Sequence, residues 1–272
     1  MIRRLRLVVA ILGGVGAVGL AGCELVVAGG GAIYSAFHGA DPLTTAYAAL
    51  RRHDCSAAES EFSAFLAKEP NDARAISGKA DALVCLEKYD AAIVDYSRAI
   101  ELDAKWFDYL GRGVAYKAQG NPSEAIKNFD EGIALEPSVP SLYVYKGAVL
   151  SARGDASGAQ AEFEKVSSLI SNSSESFNNY GWSLATSPIG AYRDGPAAIL
   201  YAHRACELTS FSRAAELDTL AASYAEAGQF DEAIKWQTSA LRLAGDTNQD
   251  YEARLAMYKK REPYRSNRAS FF

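Results

Sequence analysis

The chain has 272 residues, 49% hydrophobic and 22% charged, with 28 Lys+Arg against 33 Asp+Glu and a formal net charge of −5. That acidic balance excludes the basic footprint on which nucleic-acid binding depends. No GxSxG elbow, Walker loop or dinucleotide fingerprint occurs anywhere in the sequence, which removes the commonest catalytic frameworks.

The first predicted element is a leader. Arg3, Arg4 and Arg6 precede an uncharged run of 16 residues from Leu7 to Gly22, and no acid occurs before Glu24. A run of that length suits a secretory signal and falls short of the roughly 20 residues that a spanning helix needs. It ends in Leu20-Ala21-Gly22-Cys23, which resembles a bacterial lipobox. The resemblance implies that residues 1–22 are a lipoprotein signal peptide and that the Cys23 thiol carries diacylglycerol in the mature protein. Three acyl chains hold a protein firmly on a bilayer, at about 0.8 kcal/mol per buried CH₂. Glu24 after the cysteine, in place of the Asp associated with inner-membrane retention, points to the outer membrane, facing the periplasm. Residues 23–40 read as a tether: Gly29, Gly30 and Gly31 loosen it, while Leu25, Val26, Ile33, Tyr34 and Phe37 make it apolar enough to pack or lie beside the bilayer.

Beyond the tether the chain is periodic. Ala58, Ala92, Ala125 and Ala159 recur at spacings of 34, 33 and 34, and each is followed four residues later by Phe62, Tyr96, Phe129 or Phe163. A spacing of four puts the small residue and the ring on one helical face. In "WFDYLGRGVAYKAQGNPSEAIKNFDEGIALEP", Gly113 and Ala125 let two helices approach, the rings fill the space beside them, Pro122 starts the second helix and Pro137 ends it. Tyr109, Gly113, Tyr116, Gly120, Ala125, Phe129 and Pro137 together resemble the tetratricopeptide repeat (TPR).

Six units follow, at about 39–72, 73–105, 106–139, 140–173, 174–212 and 214–247. The fifth carries about five extra residues in "TSPIGAYRDG"; with the sixth, "ELDTLAASYAEAGQFDEAIKWQ", it is similar to a bacterial TPR subtype with a short basic tail, here "MYKKREPYR". The resemblance implies an all-α fold: a TPR α-solenoid, a right-handed superhelix of about six hairpins over residues 41–247. Residues 248–272 form a capping helix and basic tail. In that last helix Tyr251, Leu255 and Tyr258 stand at i, i+4 and i+7 to cover the open flank of the sixth unit. Lys259, Lys260, Arg261, Arg265 and Arg268 then read as charge at a helix C-terminus running into a solvated tail, or as a contact for an anionic partner such as lipid headgroups.

Three cysteines remain once Cys23 is lipidated, in an oxidising compartment. Cys55 lies 15 residues before Pro70 and Cys85 lies 15 after it, so across a turn at Pro70-Asn71 the two are level on antiparallel helices. They form either a disulfide or a pair of buried small hydrophobes whose side chains diverge. Cys206 reads as an inert core thiol. His38, His53 and His203 lack metal-ligand spacing with Cys, Asp or Glu, and the Asp218–Glu226 pair reads as charge on a solvated face, so no catalytic residue, metal or cofactor is assigned.

Binding is what remains. By the TPR resemblance the first helix of each unit lines a concave wall, and the inward residues include Asp81, Lys117, Tyr145, Asn178, Asn179, Trp182 and Asp218. Trp182 is either the aromatic anchor of a bound peptide or packing between units. The expected partner is an envelope protein or peptide segment, with the membrane reached through Cys23 and with no nucleic acid or small-molecule substrate. The expected role is a periplasmic scaffold in envelope assembly; the alternative is an obligate subunit of an outer-membrane assembly or secretion complex.

Overall fold

A computed structural model describes residues 41–170, 172–245 and 247–266. The predicted leader and the whole tether, Cys23 and His38 included, lie outside the described residues, as does Arg268. The chain divides into two units, Met1–Asp41 and Pro42–Phe272, and the fold is that of the second. Its described residues form thirteen α-helices, one 3₁₀ turn and no strand.

The helices pair as the periodicity requires. The hairpins are α1 (Thr44–Arg51) with α2 (Cys55–Leu66), α3 (Ala73–Cys85) with α4 (Tyr89–Asp103), and α5 (Trp106–Ala118) with α6 (Pro122–Leu135). They continue with α7 (Pro140–Ala152) and α8 (Ala156–Leu169), α9 (Ser174–Thr186) and α10 (Gly195–Leu208), and α11 (Ala214–Glu226) and α12 (Phe230–Leu243); α13 (Gln249–Lys259) caps the stack. The molecule is thus an all-α TPR solenoid.

Local chemistry sets the boundaries. Asp54, Asp72, Asp155 and Asp194 each accept a backbone N–H of the helix that follows, and Pro122 and Pro140 open α6 and α7. Within every hairpin but the fifth the chain reverses through a left-handed residue, and Gly120, Gly154 and Gly228 supply it without a β-carbon penalty. In the first two units that position falls to His53 and Glu87, both at φ 59°.

Packing follows the small–large pattern. Ala58, Phe62, Ala92, Tyr96, Ala125 and Phe129 are fully buried. The Phe62, Tyr96 and Phe129 rings fill the space where a β-carbon would stand on Gly78, Gly111 and Gly113. Truncating any of these rings to Ala would cost about 3–5 kcal/mol. The pattern weakens in α8, where Ala159 and Phe163 are only half-buried. Elsewhere the first helices of adjacent units pack on each other, but α7 packs on α10. From α8, Phe163 reaches the fifth unit through rings, 5.9 Å from Phe177 of α9 and 5.3 Å from Tyr201 of α10.

The cap departs from expectation in one residue. Tyr258 is fully buried as the spacing predicts, yet Arg254 is buried beside it. Among the described residues no helix is long and apolar enough to cross a membrane.

Candidate partner-binding groove

The first helices α1, α3 and α5 present one continuous wall, and the insertion between α9 and α10 faces it. Together they enclose a pocket of about 400 Å³ lined by Tyr47 and Leu50 from α1, Ser77 and Asp81 from α3, Trp106, Phe107 and Leu110 from α5, Tyr145 from α7, and Ser187, Ile189 and Tyr192 from the insertion. Its wall is mainly apolar, and Phe107 keeps 44% of its surface exposed. The volume lies within the range of sites that hold a few side chains or a small ligand.

Asp81 lines this pocket, and Asp108 interacts with it from outside the lining. The Tyr96 hydroxyl donates to Asp81 Oδ1 at 2.6 Å, while burial, with the charge of Asp108 adding to it, pushes the Asp81 carboxyl up to about 7. Asp108, 2% exposed, is pushed up to about 6 by burial, against a hydrogen bond from Ser77. Its Oδ1 has no hydrogen-bond partner. A buried acceptor without a donor is costly. The polar groups of the lining include the Arg51, Ser77, Asp81 and Ser187 side chains.

The insertion is clamped in place. Lys117 Nζ donates to the Arg193 carbonyl at 3.3 Å and reaches Asp194 at 3.5 Å. The Tyr145 hydroxyl donates to the Tyr192 carbonyl at 3.5 Å, with the two rings 5.9 Å apart. Arg193 donates to the Ser187 carbonyl at 2.9 Å and pairs with Glu226 at 3.0 Å.

The C-terminal part of the groove is filled by the chain's own tail. Tyr264 lies 5.7 Å from Trp182, Arg265 pairs with Glu226 at 2.7 Å, and the Ser266 amide donates to the Thr186 carbonyl at 2.9 Å. At the centre sits Arg254, whose guanidinium carbon lies 5.4, 5.1 and 5.2 Å from the Trp182, Tyr251 and Tyr264 rings. Arg254 Nε and Gln237 Nε2 both donate to Asp218 Oδ1 at 2.8 Å.

The seven residues assigned to the concave wall therefore separate. Asp81 lies at the pocket. Tyr145 is fully buried and Lys117 is held beneath the insertion, so neither presents a free surface. Trp182 and Asp218 belong to the cap cluster, and Asp218 is 5% exposed, not part of a solvated face. Asn179 is exposed, and Asn178 is half-buried with its Oδ1 lacking a partner. The tail reading is corrected likewise, because Tyr264, Arg265 and Ser266 are docked and not solvated. Trp106, Phe107, Ile189 and Tyr192 were missed; the signal for the first two was a Trp-Phe pair opening a helix.

Cys55 and Cys85 are joined by a disulfide, with Cα atoms 6.0 Å apart. His53, set aside in the sequence for want of ligand spacing, stands with them: one ligand atom from each of the three lies within 4.8 Å of the others. Cys206 is fully buried, and burial pushes its thiol up to about 12.

Comparison with known proteins agrees with this architecture. Tetratricopeptide repeat models match residues 43–108 and 109–139. No curated protein sequence matches the chain. Among solved structures, a tetratricopeptide repeat protein from Parabacteroides merdae is 15% identical, with 80% of this chain and 90% of that one covered at a TM-score of 0.50. A chain of the APC/C hetero-tetramer Cut9–Hcn1 is also 15% identical at a TM-score of 0.50, with 79% of this chain covering 42% of it. A thermophilic TPR protein of Thermus thermophilus is 18% identical at a TM-score of 0.45, with 80% and 97% covered. At these identities the likeness is one of fold.

Proposed function

We propose that this chain is a lipid-anchored envelope scaffold that holds a short segment of a partner protein in the pocket between α1, α3, α5 and the insertion. The pocket is the observation that carries the reading. It combines an exposed aromatic, Phe107, with the carboxyl of Asp81 in its wall. The matching segment offers one large apolar side chain beside a hydrogen-bond donor. A few such anchors carry most of the energy of an interface. The leader and Cys23 supply the membrane attachment, and Glu24 assigns it to the outer membrane.

A photo-crosslinker at position 107, activated in intact cells and followed by mass spectrometry, identifies the partner. The crosslink is expected to disappear when the wall is altered by Asp81→Leu, provided the melting curve is retained. Equal capture by that variant and the parent would refute the pocket as the binding site. Labelled palmitate should enter the wild type and not Cys23→Ser; failure of labelling removes the lipid anchor.

A further inference from the structure

The turn between α1 and α2 and the end of α3 bring three metal-ligating side chains to one point. His53 and Cys55 come from the turn and the first residue of α2, and Cys85 is the last residue of α3. We propose that His53, Cys55 and Cys85 form a redox-gated site for one thiophilic divalent cation such as Zn²⁺, open in the dithiol form and closed by the disulfide.

Four observations support it. Zn–S bonds of about 2.3 Å and Zn–N bonds of about 2.0–2.1 Å place neighbouring ligand atoms of a tetrahedral site within about 4 Å of each other. The three side chains already lie within 4.8 Å, so small rotations complete the set. His53 Nε2 is buried and has no hydrogen-bond partner, an unused ring nitrogen where buried polar atoms are normally satisfied. His53 sits at the left-handed turn position, as Glu87 does in the second unit, which fixes its ring close to Cys55 in sequence. Finally, Cys55 stands at a helix N-terminus, where a thiolate is favoured.

The chemistry balances. A dithiol reductant gives two electrons and two protons to the Cys55–Cys85 bond and becomes a disulfide itself. The cation then displaces one proton from each thiol and takes the neutral imidazole as a third ligand; water fills the fourth position. Either state ties α2 to α3 at the same point, so the first two units stay joined.

The test uses the full chain in detergent micelles, reduced with dithiothreitol, freed of reductant under anaerobic conditions and titrated with Co²⁺ and then Zn²⁺. The expected result is one equivalent of cobalt with a thiolate charge-transfer band in the reduced chain and none in the oxidised chain. Zn²⁺ should raise the melting temperature of the reduced form alone. His53→Ala, which keeps both sulfurs, should weaken binding by more than about tenfold, since losing even a support of a ligand costs 10–100-fold. Cys55→Ser/Cys85→Ser, which keeps Cys23 and Cys206, should abolish the band. The proposal is overturned if the reduced chain takes up no cobalt, if binding survives the double serine variant, or if His53→Ala binds as tightly as the parent.

Discussion

The cap cluster makes a sharp demand on the Asp218–Arg254 pair. Arg254 is 8% exposed and Asp218 5%, joined at 2.8 Å, with Gln237 donating to the same oxygen. Burial pushes the Asp218 carboxyl above its ordinary value even with those donors against it. Removing the acid alone, as in Asp218→Ala, leaves a guanidinium inside three aromatic rings with no counter-charge. Breaking one partner of a buried pair costs about 3–5 kcal/mol, whereas exchanging both for apolar residues of similar volume is often neutral. Asp218→Leu combined with Arg254→Met should therefore be more stable than Asp218→Ala, although it changes two residues. Because a solenoid loses stability locally, the loss belongs to α13 and the tail. The assay is amide exchange across residues 249–266, together with urea unfolding. Single variants within about 1 kcal/mol of the parent, or a double variant whose loss is the sum of the singles, would refute the reasoning.

Three further outcomes follow from the packing and the acids. A β-carbon on Gly195 would stand 2.6 Å from the Ala227 nitrogen and 2.7 Å from its Cα, both backbone. Gly195→Ala should thus cost about 1–3 kcal/mol or more, read as a lower melting temperature; unchanged melting refutes the close approach. Asp81 and Asp108 hold protons in the fold that the unfolded chain has released, so their contribution to stability falls as pH rises from about 4 to about 7. For Asp81, raised from 3.8 to about 7, the ceiling is about 4 kcal/mol. Asp81→Asn, which still accepts from Tyr96, should flatten that part of the profile, and a variant that keeps the wild-type slope contradicts the assignment. Ending the chain at Glu262 removes Tyr264 from Trp182, so acrylamide should quench tryptophan emission more strongly; equal quenching would show that the tail does not cover the ring.

What the sequence disclosed and what it hid divide along sequence distance. The hairpins, their turns and the Ala–aromatic pairs depend on residues within about one repeat, so a period of 33 or 34 residues exposes them. The cap was legible too, since Tyr258 lies on the face that its spacing assigns. The insertion was visible only as extra length. Its position depends on Lys117 meeting Arg193 and Tyr145 meeting Tyr192, 76 and 47 residues apart, and no local pattern encodes such contacts. The surroundings of Trp182 were hidden for the same reason: its neighbours Arg254 and Tyr264 come from the far end of the chain. His53 escaped because a turn brings it to Cys55 while Cys85 arrives from the next helix.

Self-occupation also decides where an outside partner can bind. A segment tethered to the same chain meets its groove at an effective concentration in the mM range when its linker matches the span. A partner aimed at Trp182 must displace Tyr264, Arg265 and Ser266 against that concentration and then leave Arg254 with fewer rings around it. A partner aimed at Lys117 or Tyr145 must break the clamp on the insertion and uncover Tyr192. At Phe107 it meets neither cost. The wall of α1, α3 and α5 is already formed, and Asp81 within it offers a carboxyl to an incoming donor. On the proposed reading a partner therefore meets the wall of the first three units, with the insertion of the fifth facing it.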